Sequence, residues 1–350
     1  SLPEVFAVLS PLPLSRVRRI GPPLVAVALV VGIVLGGVAV AQSAPAAVRL
    51  DGTDPSSHAI AVSTAVFDDA GGADTTARHA VLGRDDDFAD SLAAGPLLNG
   101  GPLLYVPGGE DGTLPGPVAA ELQRILPPAA DVFVVGGVDA ISEDIATAVE
   151  DLGYHVVRLA GEERTATAAA IADEATRTHG PADRVLVALA GRWPDAVAGG
   201  ALAASEQLPL LLTDGTSAST ATVAWLDAHP DHEVVVLGGP AAIEESVFTA
   251  LGGDRRLTGE TRAHTAAAMV AEFGDDVTGT TVMQGFADDG WVHGNAGAAL
   301  LQPLLLNGPD VDTLNSVVTS ALDGRTGELF VLGGTDRVGT TALTAAEAAR

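Results

Sequence analysis

Cysteine is absent from the 350 residues. Its absence excludes disulfides, a thiolate metal site and a cysteine nucleophile. An exported chain without disulfides must be held by its core, for which about 300 residues are ample. Lysine is absent too, so all 18 basic residues are arginines, set against 45 acidic ones for a net charge of −27. A surface of that sign repels nucleic acid and anionic lipid headgroups. Aspartate outnumbers glutamate 29 to 16. A dense carboxylate surface suits a salty medium that screens its self-repulsion, and high-GC codon usage favours the same composition.

Catalytic signatures are also missing. There is no H-E-x-x-H and no G-x-S-x-G elbow, which removes the familiar zinc protease and serine hydrolase patterns. His229 and His232 flank Pro230-Asp231 in what reads as a solvated loop. Asp85-Asp86-Asp87 with Asp90 gathers hard oxygen ligands but lacks the D-x-D-x-D-G spacing of a calcium loop. Acidic residues are so abundant that no carboxylate pair for glycoside hydrolysis stands out. No metal and no cofactor is expected.

What is present begins with Arg16, Arg18 and Arg19, an apolar run from Leu24 to Ala41, and Ala39-Val40-Ala41 at A-x-A spacing. Basic, apolar and small segments in that order read as a secretory signal over 1–41, cleaved after Ala41, with 42–48 as a linker. A retained membrane anchor is the alternative, since about 20 apolar residues can span a bilayer. Either way the remainder lies outside the cytoplasm, secreted or at the cell surface, and meets a membrane only through this segment.

The rest of the chain repeats. VFVVGGVDAISEDI at 132–145 returns as VVVLGGPAAIEESV at 234–247 and LFVLGGTDRVGTTA at 329–342. RLAGEERTATAAAIA at 158–172 returns as RLTGETRAHTAAAMV at 256–270, with RLDGTDPSSHAIAVS at 49–63 as a weaker first copy. Proline-headed apolar segments follow at 102, 209 and 303, and Asp90, Asp195 and Asp289 each open a small-residue run upstream of one. The copies are 49–155, 156–254 and 255–350. A period near 100 residues is the size of a small domain rather than a solenoid unit.

In the second copy, the segments 156–159, 184–189, 208–212 and 233–237 are short apolar runs. Between them, 165–178, 196–205, 217–229 and 241–251 read as helices. Continuous apolar strands alternating with helices indicate parallel sheet buried on both faces. The fold class is therefore α/β: three tandem, small, doubly wound repeats, each an open parallel sheet of Rossmann-like character. The Ala and Gly content of the helices implies close packing, helix to sheet or unit to unit.

The glycine pairs raise the question of a nucleotide site. Gly136-Gly137, Gly238-Gly239 and Gly333-Gly334 all lack the third glycine of G-x-G-x-x-G and the G-K-[ST] of a phosphate loop. A strand-to-helix turn needing positive φ is the simpler reading. Helix amides near the turn would still suit an anionic group. Arg164 and Arg262 stand at the opening of Ala-rich helices, each three residues before a threonine, Thr167 or Thr265. A guanidinium fork there can grip phosphate or uronate. It can equally pair with Asp195 or Asp289 across a unit boundary. Trp193 and Trp291 lie beside the aspartates and, like Trp225, offer a face for a sugar ring.

The combination of apolar-GG, RxxGxxRxxTA and PDA before an apolar PLL strand resembles the cell wall-binding repeat 2 family. The resemblance runs from Arg49 to the end, best in copy two. Copy three has Gly290-Trp291 where copy two has Ala196-Val197, and copy one has Pro55 where the others have Arg164 and Arg262. The resemblance implies three α/β units about a pseudo-threefold axis, and non-covalent anchoring to an anionic cell-envelope polymer or peptidoglycan-associated glycopolymer. It implies no enzymatic activity, which in that family comes from an additional domain. A wall hydrolase or amidase-stimulating accessory, and a structural surface-layer component, are the alternatives.

Overall fold

The computed structural model describes residues 45–72 and 75–350; the segment read as a signal or anchor and the cleavage expected after Ala41 lie outside the described residues. Among the described residues no helix is long and apolar enough to cross a membrane.

Three sheets of four parallel strands form the framework. The first contains β2 (His79–Arg84), β3 (Leu103–Val106), β4 (Asp131–Val135) and β5 (His155–Leu159), in the order β3-β2-β4-β5. The second repeats that order with β6 (Arg184–Leu189), β7 (Leu210–Thr213), β8 (Glu233–Leu237) and β9 (Arg255–Leu257). The third contains β10 (Thr280–Gln284), β11 (Leu304–Asn307) and β12 (Leu329–Leu332), and its fourth strand is β1 (Val48–Leu50). Central strands such as β8 are apolar from Val234 to Leu237 without a break because both faces are covered.

The repeat in sequence and the sheet in space are out of step by one strand. Each copy opens with an R-L strand that pairs in the preceding copy's sheet: Arg158 opposite Val134, Arg256 opposite Val236, Arg49 opposite Val331. The helix that follows crosses to its own copy's sheet. Thus α1 (Pro55–Val66) packs on β3, α4 (Arg164–His179) on β7, and α8 (Arg262–Met269) on β11. Every boundary is stitched by this handover, and β1 closes the ring between the third copy and the first.

At the centre lie the small-residue segments that follow the three aspartates. These are the tight turns Ser91–Ala93 and Gly95–Leu98, helix α5 (Trp193–Glu206) and helix α9 (Gly290–Gly297), and each of the three touches the other two. This is the pseudo-threefold arrangement. Backbones approach so closely that a Cβ on Gly95 would stand 2.4 Å from the carbonyl oxygen of Gly200, and one on Gly294 would stand 2.1 Å from Cγ1 of Val197. Only residues without a side chain allow that approach.

Candidate functional site at the repeat boundaries

The glycine turn is built the same way three times. The first glycine has positive φ, +112° at Gly136, +101° at Gly238 and +89° at Gly333. Its amide donates to the R-L strand of the next copy: Gly136 to Leu159, Gly238 to Leu257, Gly333 to Leu50, at 2.8–2.9 Å. The second glycine's carbonyl then accepts two amides, for example those of Ala242 and Ile243 at 2.9 and 3.0 Å. Helix α7 (Glu245–Ala250) begins only at Glu245, not at Ala241, because these turn bonds intervene. The amides expected to face an anion directly after the glycines are thus already engaged within the turn. No room exists for a Cβ either: on Gly136 it would lie 2.8 Å from Oδ2 of Asp90, and on Gly238 2.7 Å from Oδ2 of Asp195.

The first arginine of each R-L motif braces this turn, a role the repeat pattern alone did not assign. Arg49 donates to the carbonyls of Gly333, Gly334 and Val338 at 2.6, 3.0 and 2.7 Å. Arg158 reaches Gly136 and Ile141 at 3.1 and 3.0 Å, and Arg256 reaches Gly238 at 3.2 Å. Carbonyls left over by the tight turn are satisfied in this way. Thr167 and Thr265 are also buried within the frame, each hydroxyl accepting the amide of the motif glycine, Gly161 or Gly259, at 3.2 Å.

The second arginine is different. Arg262 begins α8 and spends one donor on the carbonyl of Gly285 at 2.6 Å, just past β10 in its own copy's sheet. Its guanidinium lies over Phe286 at 4.5 Å and near Trp193 at 5.8 Å. It shares a cavity of about 220 Å³ with Asp195, Gly239, Thr265 and Arg192. Burial pushes the Asp195 carboxyl up, with Arg262 and Arg192 opposing, and burial pulls Arg262 down. Among the described residues neither Arg262 nor Arg164 makes an ion pair with the aspartates. Arg164 is absent from that cavity: it donates to the carbonyl of Ala190 at 3.1 Å and lies over Phe88 at 5.5 Å. It therefore serves the boundary between the first and second copies, where Phe88 precedes Asp90 by two residues as Trp193 precedes Asp195. The convergent set is Asp195 with Arg262, from successive copies, and the equivalent arginine for Asp90 is Arg164.

At the third boundary Pro55 replaces this arginine, and Arg337, in the glycine turn itself, donates to Asp289 at 2.7 Å. The signal for Arg337 was present: it stands where Ala140 and Ala242 stand in the other turns. Other candidates resolve differently. Trp193, Trp225 and Trp291 are all over nine-tenths buried, so their faces belong to the core rather than to a sugar. Asp86 is gripped by Arg84 at 2.6 and 2.8 Å. His229 stacks on Trp225 with centroids 4.1 Å apart. No group of three ligating side chains placed to hold a metal ion occurs among the described residues.

Comparison with known proteins identifies the family and the fold. Residues 49–146 and 158–248, more than half of the chain, match the family described as cell wall binding domain 2 (CWB2). Over 243 residues the chain is 28% identical to N-acetylmuramoyl-L-alanine amidase LytC of Bacillus subtilis (strain 168), covering 68% of this chain and 47% of that protein. Its fold is similar to Cwp8 from Clostridium difficile, with a TM-score of 0.74 at 22% identity over 87% of this chain and 51% of that one. Cwp6 from the same organism gives 0.71 at 21% identity, over 87% and 48%. The chain thus spans about half the length of these relatives. Its repeated glycine turns and bracing arginines fall largely within the matched segments, and the chain belongs to the cell wall binding domain 2 family.

Proposed function

We propose that this chain is a non-enzymatic surface protein that holds an anionic glycopolymer of the cell envelope through its arginine-lined repeat boundaries, outside the cytoplasm. The observation that carries the reading is Arg262: a guanidinium in a cavity between copies, with one donor spent on Gly285 and no ion-pair partner among the described residues. On a protein of net charge −27, such a cation is where an anionic group can be bound. Arg164 offers the same at the preceding boundary. The handover of strands supports it further, because a site between interlocked copies is held rigid without an added domain.

The test is retention on purified envelopes with deproteinised polymer as competitor. Competitor should release the protein, added salt should weaken retention, and Arg262→Gln should weaken it about tenfold, the loss expected for one charge-assisted bond. Retention indifferent to polymer would refute the reading. Similarity to an amidase favours a second reading, an accessory that assists a wall hydrolase. It predicts zymogram clearing, alone or with a partner amidase, that is lost in Asp195→Asn.

A further inference from the structure

The boundary between the third and first copies departs from the other two at its polar positions. Where Arg164 and Arg262 stand, it has Pro55; where Thr167 and Thr265 stand, it has His58. The arginine it does carry, Arg337, is neutralised by Asp289 at 2.7 Å. The cavity here is about 690 Å³ and is lined by Asp51, Asp85, Asp288 and Asp336 besides that pair. None of Asp51, Asp85 and Asp288 has a cationic partner at contact distance among the described residues. A carboxylate-lined cavity of this kind repels the anionic polymer that the arginine sites would accept.

A second observation comes from a side chain rather than from charge. His58 lines the same cavity, is 1% exposed, and neither of its ring nitrogens makes a hydrogen bond of ordinary geometry among the described residues, only a weaker interaction with the His293 backbone. Its ring meets His293 edge-on with centroids 4.4 Å apart. Buried polar groups are nearly always paired, and one that is not needs a reason. Burial, with the charge of His293 adding to it and the His293 backbone opposing, lowers its pKa to about 3, so the ring is neutral, one nitrogen a donor and the other an acceptor. Among the described residues no three ligating groups are arranged for a metal. A bare cation also leaves the imidazole donor unsatisfied.

We infer that this third boundary is a binding site for a primary ammonium carried on a hydroxylated carbon frame, the chemistry of a sugar bearing a free amine. The ammonium is held by Asp51 and Asp288, Asp336 being within 3.6 Å of Arg337, and the neutral His58 ring exchanges hydrogen bonds with the ligand's hydroxyls. The ring of three boundaries then reads two different groups, acidic at two and basic at one.

The test uses the full chain and free monosaccharides, so its outcome does not depend on any polymer being bound. Glucosamine, N-acetylglucosamine, glucose and Mg²⁺ are titrated separately at constant ionic strength and at a pH where the amine is charged, by calorimetry and by the imidazole resonances of His58. Glucosamine should bind saturably and shift those resonances, and N-acetylglucosamine and glucose should bind at least about tenfold more weakly, since they lack the charge. Asp51→Asn with Asp288→Asn should weaken glucosamine by a similar factor. The sugar comparison on the unaltered chain stands even where a variant folds poorly. Equal binding of the three sugars, saturation by Mg²⁺ alone, or no shift at His58 would each overturn the inference.

Discussion

Acid should loosen this ring at one histidine, and His58→Thr should remove much of that sensitivity. His58 lies on α1, packed against α9 of the third copy, and is 1% exposed. Its pKa falls from an ordinary 6.5 to about 3, chiefly because burial disfavours the imidazolium. The folded value is depressed, so the unfolded chain takes up a proton between those two pH values while the folded chain does not. Stability from this group is therefore fully present above about pH 6.5 and declines as pH falls toward 3. The slope is about 1.4 kcal/mol per pH unit, so near pH 4.5 the unaltered protein has lost about 3 kcal/mol at this position alone.

Threonine is the residue the other copies carry there, and it restores a hydroxyl for the amide of Gly52, which now turns to its neighbour Asp51 at 2.8 Å. Urea unfolding of both proteins near pH 7.5 and near pH 4.5 gives the quantity of interest, the change with pH of their difference. His79 and His293 are lowered by burial as well, but they are present in both proteins and largely cancel. The titration of the many carboxylates cancels likewise. Whatever the substitution does at neutral pH, the variant should gain about 3 kcal/mol relative to the parent on acidification. A difference that does not change with pH would refute the argument that a neutral buried ring is enforced here.

Gly95→Ala should cost about 1–3 kcal/mol in urea unfolding, because the new methyl meets the Gly200 carbonyl at 2.4 Å, where only backbone movement relieves it. Arg49→Ala should cost about 1–3 kcal/mol by orphaning the Gly333, Gly334 and Val338 carbonyls. It should also speed hydrogen exchange at the Gly333 amide while leaving the Gly136 and Gly238 amides protected. Glu272 accepts from Arg184 at 2.8 Å and from Arg255 at 2.8 and 2.7 Å, so Glu272→Gln should cost about 1 kcal/mol in the same unfolding assay. Its pKa is lowered, first by Arg255, so that contribution is present above the usual carboxylate range and fades as pH falls through the depressed value.

Much of each copy was legible because buried parallel strands are short, continuous apolar runs. Arg184–Leu189 and Glu233–Leu237 are the clear cases, expected and found with the same ends. Helix α4 likewise matches its Ala-rich pattern to within a residue at each end. The helix after the glycine pair was expected at Ala241 and begins at Glu245, since two amides bond back to Gly239 before a helical ladder can start. The handover of β1, β5 and β9 to a neighbouring sheet was not legible at all. An apolar strand carries no mark of which edge it will join, and parallel pairing is decided by the crossover that the whole unit makes.

The same limit governs the site. Arg164 and Arg262 were readable as cations at helix starts, but each is held by the carbonyl that follows the first strand of its own sheet, Ala190 or Gly285, and lies against a ring of the copy before, Phe88 or Trp193, and periodicity says nothing of those partners. Pairing them with Asp195 and Asp289 by sequence order placed Arg164 at the wrong boundary. Once the offset of one strand is known, the three boundaries align residue by residue, and the differences among them become informative. Pro55 and Arg337 then read as one change, a guanidinium lost from a helix start and another gained in the facing glycine turn, next to Asp289. The gained arginine is tied to its aspartate, whereas Arg262 is not. At the third boundary the one arginine is tied to Asp289 while Asp51, Asp85 and Asp288 keep no cationic partner among the described residues, so that boundary has no cation left to offer an anion.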